Sequence, residues 1–235
     1  MKLTAFAASV FGFWMAGVSA VAGEAPPAPG ARVTSLFDGT TLAGWEGDLS
    51  KWQVKEGAIV GGAPEVEQAH NDFLATTGEF QNFVLRLKFR IGGGTGFINS
   101  GVQIRSQRVP NNPEMAGYQC DLGEPAWWGS IYDESRRNRL LIQSDMTAVN
   151  RVLRRGDWND YVIRARGPRI TTWINGELAS DYVEPDGTIA TKGKLGLQIH
   201  GGGRVVAEFK EITVEALPET ADFIGAPEPC AMVSI

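Results

Sequence analysis

The chain has 235 residues, 43% hydrophobic and 21% charged, with 29 glycines and a formal net charge of -5. That composition excludes a disordered or fibrous chain and supplies the core of one compact domain with tails. No basic run is present, so nucleic acid, whose binding rests on clustered Lys and Arg, is excluded as a partner, and a neutral or polar ligand is expected.

At the N-terminus, Lys2 precedes an apolar run from Leu3 to Val18 and then the small residues Ala20-Val21-Ala22. Residues 1–22 therefore have the anatomy of a secretory signal peptide, and the run is shorter than the ~20 residues a membrane-spanning helix needs. An exported protein is expected, periplasmic or extracellular, with no membrane contact after cleavage. Residues 23–32 are Pro-rich and read as a linker, residues 33–217 hold the strand signals, and residues 218–235 form a tail. Export permits a disulfide, and Cys120 and Cys230 are either its two ends or two free thiols.

Short strand signals fill the region between, with almost no helical period. They fall at Thr34 to Phe37, Trp52 to Lys55, Ala58 to Gly61 and Asp72 to Ala75. The clearest runs from Phe83 to Ile91, where Phe83, Leu85, Leu87, Phe89 and Ile91 alternate with Arg86, Lys88 and Arg90, giving one apolar and one solvated face. Gly92 to Gly96 follows it and reads as a flexible connection, because a phosphate-binding glycine loop must open a helix and this one does not. Trp158 to Arg166 and Arg204 to Val214 complete the set with a hairpin. In that hairpin, Ile170 to Ile174 and Leu178 to Val183 flank Asn175-Gly176, a dipeptide that accepts the positive φ angles of a two-residue turn. Many short strands with Gly-rich turns indicate an all-β, two-sheet antiparallel sandwich or jelly roll. Trp45, Trp52, Trp158 and Trp173, in or beside strands, are expected in its core.

Three stretches hide a polar stripe: Gln103 and Arg105, Gln119 and Asp121, Gln198 and His200 each alternate with apolar residues. A sheet that collects such faces presents a hydrogen-bonding surface. Asn99, Trp127, Trp128, Tyr132, Glu134 and Arg137 lie close by in sequence. Hydroxyl-binding groups beside aromatic rings suit a sugar, whose C–H faces stack on rings while its hydroxyls need paired donors and acceptors. No cofactor is expected. With His70 and His200 alone and no close cysteine pair, a zinc site is not expected either, whereas a calcium held by Asp and backbone oxygens stays open because such sites can lack a tight spacing.

The chain resembles the 3-keto-disaccharide hydrolase-like domains. The matching pieces begin with Leu36-Phe37-Asp38-Gly39 and Leu42-Ala43-Gly44-Trp45, then Asn99-Ser100-Gly101-Val102, Gly117-Tyr118-Gln119 and Gly129-Ser130-Ile131-Tyr132. They end with Gly156-Asp157-Trp158-Asn159, Trp173-Ile174-Asn175-Gly176 and Gly196 to Gly201. Family members often carry a Glu after the Gly-Tyr pair, where this chain has Gln119.

The resemblance implies a concanavalin A-like jelly roll. It also implies cleavage of glycosides oxidised at carbon 3, in which the ketone acidifies the C2 proton, a base removes it, and the C1 substituent leaves. Under that reading Asp121, Glu124 and His200 are the acid–base candidates. Asn99, Gln103, Arg105, Gln119, Tyr132, Glu134, Arg137, Gln198 and Trp128 are the substrate-binding ones, with Arg105, Arg137, Gln103 or Gln198 facing the oxyanion. Two other classes stay open: a lectin-like module without turnover, and a laminarinase-type hydrolase cutting unoxidised glucan.

Overall fold

The computed structural model describes residues 32–218. The expected signal segment, most of the linker, and Cys230 with its part of the tail lie outside the described residues.

Among the described residues, fifteen strands and one helix follow one another. They are β1 Val33–Ser35, β2 Trp45–Glu46, β3 Trp52–Lys55, β4 Ala58–Gly62, β5 Asp72–Thr76, β6 Phe83–Gly96, β7 Asn99–Arg108 and β8 Met115–Gly123. Then come β9 Ile131–Glu134, β10 Arg139–Ile142, α1 Met146–Val152, β11 Asn159–Arg166, β12 Arg169–Ile174, β13 Glu177–Val183, β14 Lys194–Ile199 and β15 Gly203–Ala216. They form two antiparallel sheets. The first runs β13-β12-β11-β6-β15-β4-β3, with β1 on β15, and the second runs β10-β9-β8-β7-β14-β5-β2. The all-β sandwich expected from the strand pattern is the fold.

The alternation in β6 does what its sequence dictates. Phe83, Leu85, Leu87, Phe89 and Ile91 are all buried between the sheets, where they meet Val102, Ile104, Tyr118, Cys120 and Leu122 of the second sheet. Each such side chain contributes about 1.5–3 kcal/mol of hydrophobic stabilisation. Their polar neighbours face out and are tied down in pairs: Arg86 with Glu215, Lys88 with Asp160, Arg90 with Glu208. Cys120 is a free, fully buried thiol within this core.

Three expectations need correction. Gly92 to Gly96 is not a flexible connection but the end of β6, paired through Gly92, Gly93 and Gly96 with β15. Glycine is needed there because a Cβ on Gly93 would stand 2.2 Å from the Arg204 carbonyl oxygen. Trp158 is not in the core. It is half-buried on the outer face of the first sheet, with the Arg90 guanidinium 4.8 Å and the Lys210 ammonium 4.1 Å from its ring centroid. One helix among the described residues, α1, forms in a chain whose sequence shows almost no helical period. Its seven residues are too few to show one, and its start is fixed by Asp145, which accepts hydrogen bonds from the backbone N–H groups of Thr147 and Ala148.

Candidate functional site

The outer face of the second sheet carries the polar stripe. Register places Gln103 opposite Gln119, Gly101 opposite Asp121 and opposite Gln198, and Gln119 opposite Tyr132. Gly101 matters here, since a Cβ on it would lie 2.7 Å from Gln119 Cγ; without one, the Gln119 side chain lies across the strand. The amides form a directed chain: Ser106 Oγ donates to Gln103, Gln103 Nε2 donates to Gln119 Oε1 (3.0 Å), and Gln119 Nε2 donates to both Asp121 Oδ1 (2.9 Å) and Gln198 Oε1 (3.0 Å).

Above this floor is a pocket of about 190 Å³. Its polar walls are Asn99, Gln119, Asp121, Glu134 and His200, and its aromatic walls are Phe97, Trp127 and Tyr132. Phe97 meets the His200 ring edge-on at 4.7 Å, and Trp127 meets Tyr132 edge-on at 6.3 Å. Three buried polar atoms at the pocket and its floor have no hydrogen-bond partner: Asn99 Oδ1, Asp121 Oδ2 and Gln198 Nε2. Buried groups in native proteins are ordinarily satisfied, so three orphans gathered at one pocket make it the candidate ligand site.

The electrostatics are those of a pocket without a cation, for no Lys or Arg is among its lining residues. Burial pushes the Asp121 carboxyl well above the usual carboxylate range; the Gln119 amide opposes the shift and Glu134 adds to it. Burial, reinforced by Glu114, raises Glu134 to about 7, against the nearby Gln198 amide and the Ser135 backbone N–H. The Gln198 nitrogen lies near enough to act on Glu134 but outside hydrogen-bond geometry. His200 moves the other way, lowered by burial. Its Nδ1 lies 2.6 Å from the Gly201 carbonyl oxygen and must donate to it, which leaves Nε2 as the basic nitrogen of a neutral ring. Among the described residues no three His, Cys, Asp or Glu side chains converge to hold a metal ion.

The structure thus brings together Asn99, Gln119, Asp121, Tyr132, Glu134 and His200, with Gln103 and Gln198 wholly buried beneath and acting through Gln119. Four candidates fall elsewhere. Arg105 leaves the stripe because β7 bulges between Ile104 and Gln107 and Arg105 adopts φ 50°. Its guanidinium turns away to donate to the carbonyls of Gln81 (2.8 Å) and Gly167 (2.6 Å) and to Asn82, so it stitches the two sheets together at one end. Arg137 is consumed by ion pairs with Asp133 and with Glu184 (2.6 Å). Glu124 lies outside the pocket lining, half-exposed and paired with Arg155 at 2.6 Å. Trp128 is core, buried and stacked on Phe89 at 6.0 Å, whereas its neighbour Trp127 faces the pocket. The two tryptophans lie in a turn, where no alternation tells one from the other. Phe97 carried no signal, while Glu134 continues the period-2 stripe through Tyr132 into a fourth strand.

Comparison with known proteins decides the lineage. Residues 32–215 match the 3-keto-alpha-glucoside-1,2-lyase-like domain family. The chain belongs to this family. No curated protein matches it. Among solved structures it is similar to a glycosyl hydrolase candidate from Parabacteroides distasonis at 22% identity and TM-score 0.60, covering 79% of this chain and 94% of that one. It is also similar to the carbohydrate binding module CBM66 from Bacillus subtilis at 15% identity and TM-score 0.55, covering 74% and 96%. A lichenase from a mouse hindgut metagenome aligns at 11% identity and TM-score 0.50, covering 79% and 98%. At these identities the structures attest the jelly-roll fold, and the family match attests the glycoside-related lineage.

Proposed function

We propose that the protein is an exported enzyme that cleaves 3-keto-glycosides by elimination. Neutral His200 removes the C2 proton through Nε2, and the C–H electron pair becomes the enolate of the C3 ketone. As the enolate collapses, the C3 carbonyl is restored, a C1–C2 double bond forms and the C1–O bond breaks. The departing oxygen takes its proton from Glu134, which holds one about half the time near neutral pH. Water then adds to the unsaturated product. Trp127 and Tyr132 supply ring surface for the sugar's C–H face, and Asn99 and Gln119 supply hydroxyl partners.

The observation that carries this reading is the pairing, in one cation-free pocket, of a histidine lowered by burial with a glutamic acid raised by it. Environments that move two groups in opposite directions assign a base and an acid. An oxidised sugar fits such a site, because its acidified C–H needs only a weak base.

The test is to incubate the mature protein with a 3-keto disaccharide and with its unoxidised parent and to follow release of the two sugars. Cleavage of the keto substrate alone is expected. Cleavage of the parent alone would replace this reading with an ordinary glycosidase. Binding without cleavage would select a lectin-like module, a reading favoured by the fold likeness to CBM66.

A further inference from the structure

We propose that Asp121 works in this pocket as a neutral carboxylic acid, presenting a proton on Oδ2 to a carbonyl or enolate oxygen of the ligand. The consequence for substrate class is that the ligand must bring an oxygen acceptor, not a hydroxyl donor, to that point.

Asp121 is 3% exposed and projects from β8 opposite Gly101, which brings no side chain against it. The one hydrogen bond its carboxyl accepts among the described residues comes to Oδ1 from Gln119 Nε2, an amide that is shared with Gln198. Oδ2 is buried and unpartnered, and Asp121 is among the residues that line the cavity. An ionised carboxylate held this way would have one shared neutral donor against the several it needs. The titratable groups around it supply no fixed positive charge; the buried Cys120 thiol and Tyr161 hydroxyl, which also interact with it, are both pushed up by burial and stay neutral. Glu134 and Tyr132 face the pocket from β9, His200 from the end of β14 has its one proton engaged by Gly201, and Glu114 stands behind Glu134. None of these is a fixed cation. Burial accordingly favours the protonated acid.

With Oδ1 accepting from Gln119, the proton belongs on Oδ2, where only an arriving ligand can use it. The Ser106–Gln103–Gln119 chain points its donors toward Asp121 and fixes which oxygen is which. The role of Gln119 follows: a carboxylate at 119 would compete for the proton, whereas an amide directs it. A neutral acid that hydrogen-bonds an enolate oxygen stabilises the charge at the point where it develops. The choice of the C3 oxygen as its target rests on the function proposed above, but the protonation state does not.

Infrared difference spectroscopy of the unliganded protein with carbon-13-labelled aspartate tests the protonation directly. A protonated-carboxyl band at pH 7 is expected in wild type and in Glu134→Gln, and its absence from Asp121→Asn assigns it. A wild-type spectrum with ionised aspartates alone overturns the proposal. In turnover of a 3-keto disaccharide, Asp121→Asn, which keeps a donor, should stay within about tenfold of wild-type kcat/KM. Asp121→Leu should lose about 10²–10³-fold, the usual cost of one donor to a developing oxyanion. An Asn variant as inactive as the Leu variant would overturn the donor role. Should Asp121→Leu fail to fold, the Asn variant and the infrared band still decide. Should wild type cleave no keto-glycoside, the proposed function falls while the spectrum still reports on Asp121.

Discussion

Asp133 and Glu134 are neighbours on β9, both buried, and their surroundings are opposite. Asp133 points inward and meets Arg136 (2.8 Å) and Arg137; Arg137 also reaches Glu184, which accepts from the Tyr118 hydroxyl (2.8 Å) as well. Burial alone would raise Glu184, but the hydrogen bonds from Arg137 and Tyr118 outweigh it and hold the carboxyl at about 2. That cluster joins the β9–β10 turn of one sheet to the segment after β13 at the edge of the other. Glu134 points outward, shares its pocket with a second carboxyl, Asp121, and has no cation beside it. Carboxyls given arginines hold the sandwich together; carboxyls denied them keep protons near neutral pH and are available for chemistry.

The same conservative change at these two neighbours should therefore have opposite effects. Glu134→Gln should lower turnover of a 3-keto-glycoside with a poor leaving group by about 10²–10⁴-fold. With a nitrophenyl leaving group, which needs no proton, the loss should nearly vanish; an equal loss on both substrates would remove Glu134 from the acid role. Its stability effect has a definite sign. A carboxyl whose pKa is raised on folding, from 4.5 to about 7, binds more protons folded than unfolded, so its contribution falls as pH rises through that window. Glu134→Gln should gain about 2–3 kcal/mol in urea unfolding at pH 8 and nothing at pH 4. Asp133→Asn should instead lose about 2–4 kcal/mol at pH 8, because Arg136 and Arg137 lose the charge they surround, while kcat of the folded protein stays unchanged. A stabilised Asp133→Asn would erase the distinction between the two clusters.

This contrast also marks what could be read from residues alone. Both sheets follow from alternation, and all of the polar stripe except Arg105 lies on one face because side-chain direction in a strand has period two. Arg105 escapes the pattern because a β-bulge resets that period, and nothing in Ile104-Arg105-Ser106-Gln107 announces one. Arg137 escapes the pattern because, besides the nearby Asp133, its partner Glu184 lies 47 residues away, in a segment that only the folded sandwich brings near. As sequence, Glu124 is an acid–base candidate and Glu134 a substrate-binding one, and their places in the structure differ in another way. What separates them is that one meets Arg155 in solvent and the other meets a carboxyl under cover.

The smaller predictions concern that last distinction and the rings above it. Trp127→Ala should weaken sugar affinity by a factor of about 2–10, the ~0.5–1.5 kcal/mol of a ring contact, as measured by titration calorimetry. Stability should change little, because Trp127 is half-exposed; Trp128→Ala, which empties a site stacked on Phe89 in the core, should cost about 3–5 kcal/mol. Least of all should follow from Glu124→Ala. Its partner Arg155 is 47% exposed at the side chain and the carboxylate 45%, so solvent screens the pair and about 0–1 kcal/mol is at stake. Kinetics are the sharper measure. If Glu124 served as acid or base, its removal would cost orders of magnitude in kcat; if the pocket acid is Glu134, the Glu124→Ala pH profile should overlay that of wild type, including the fall in activity as pH rises through about 7 and Glu134 loses its proton.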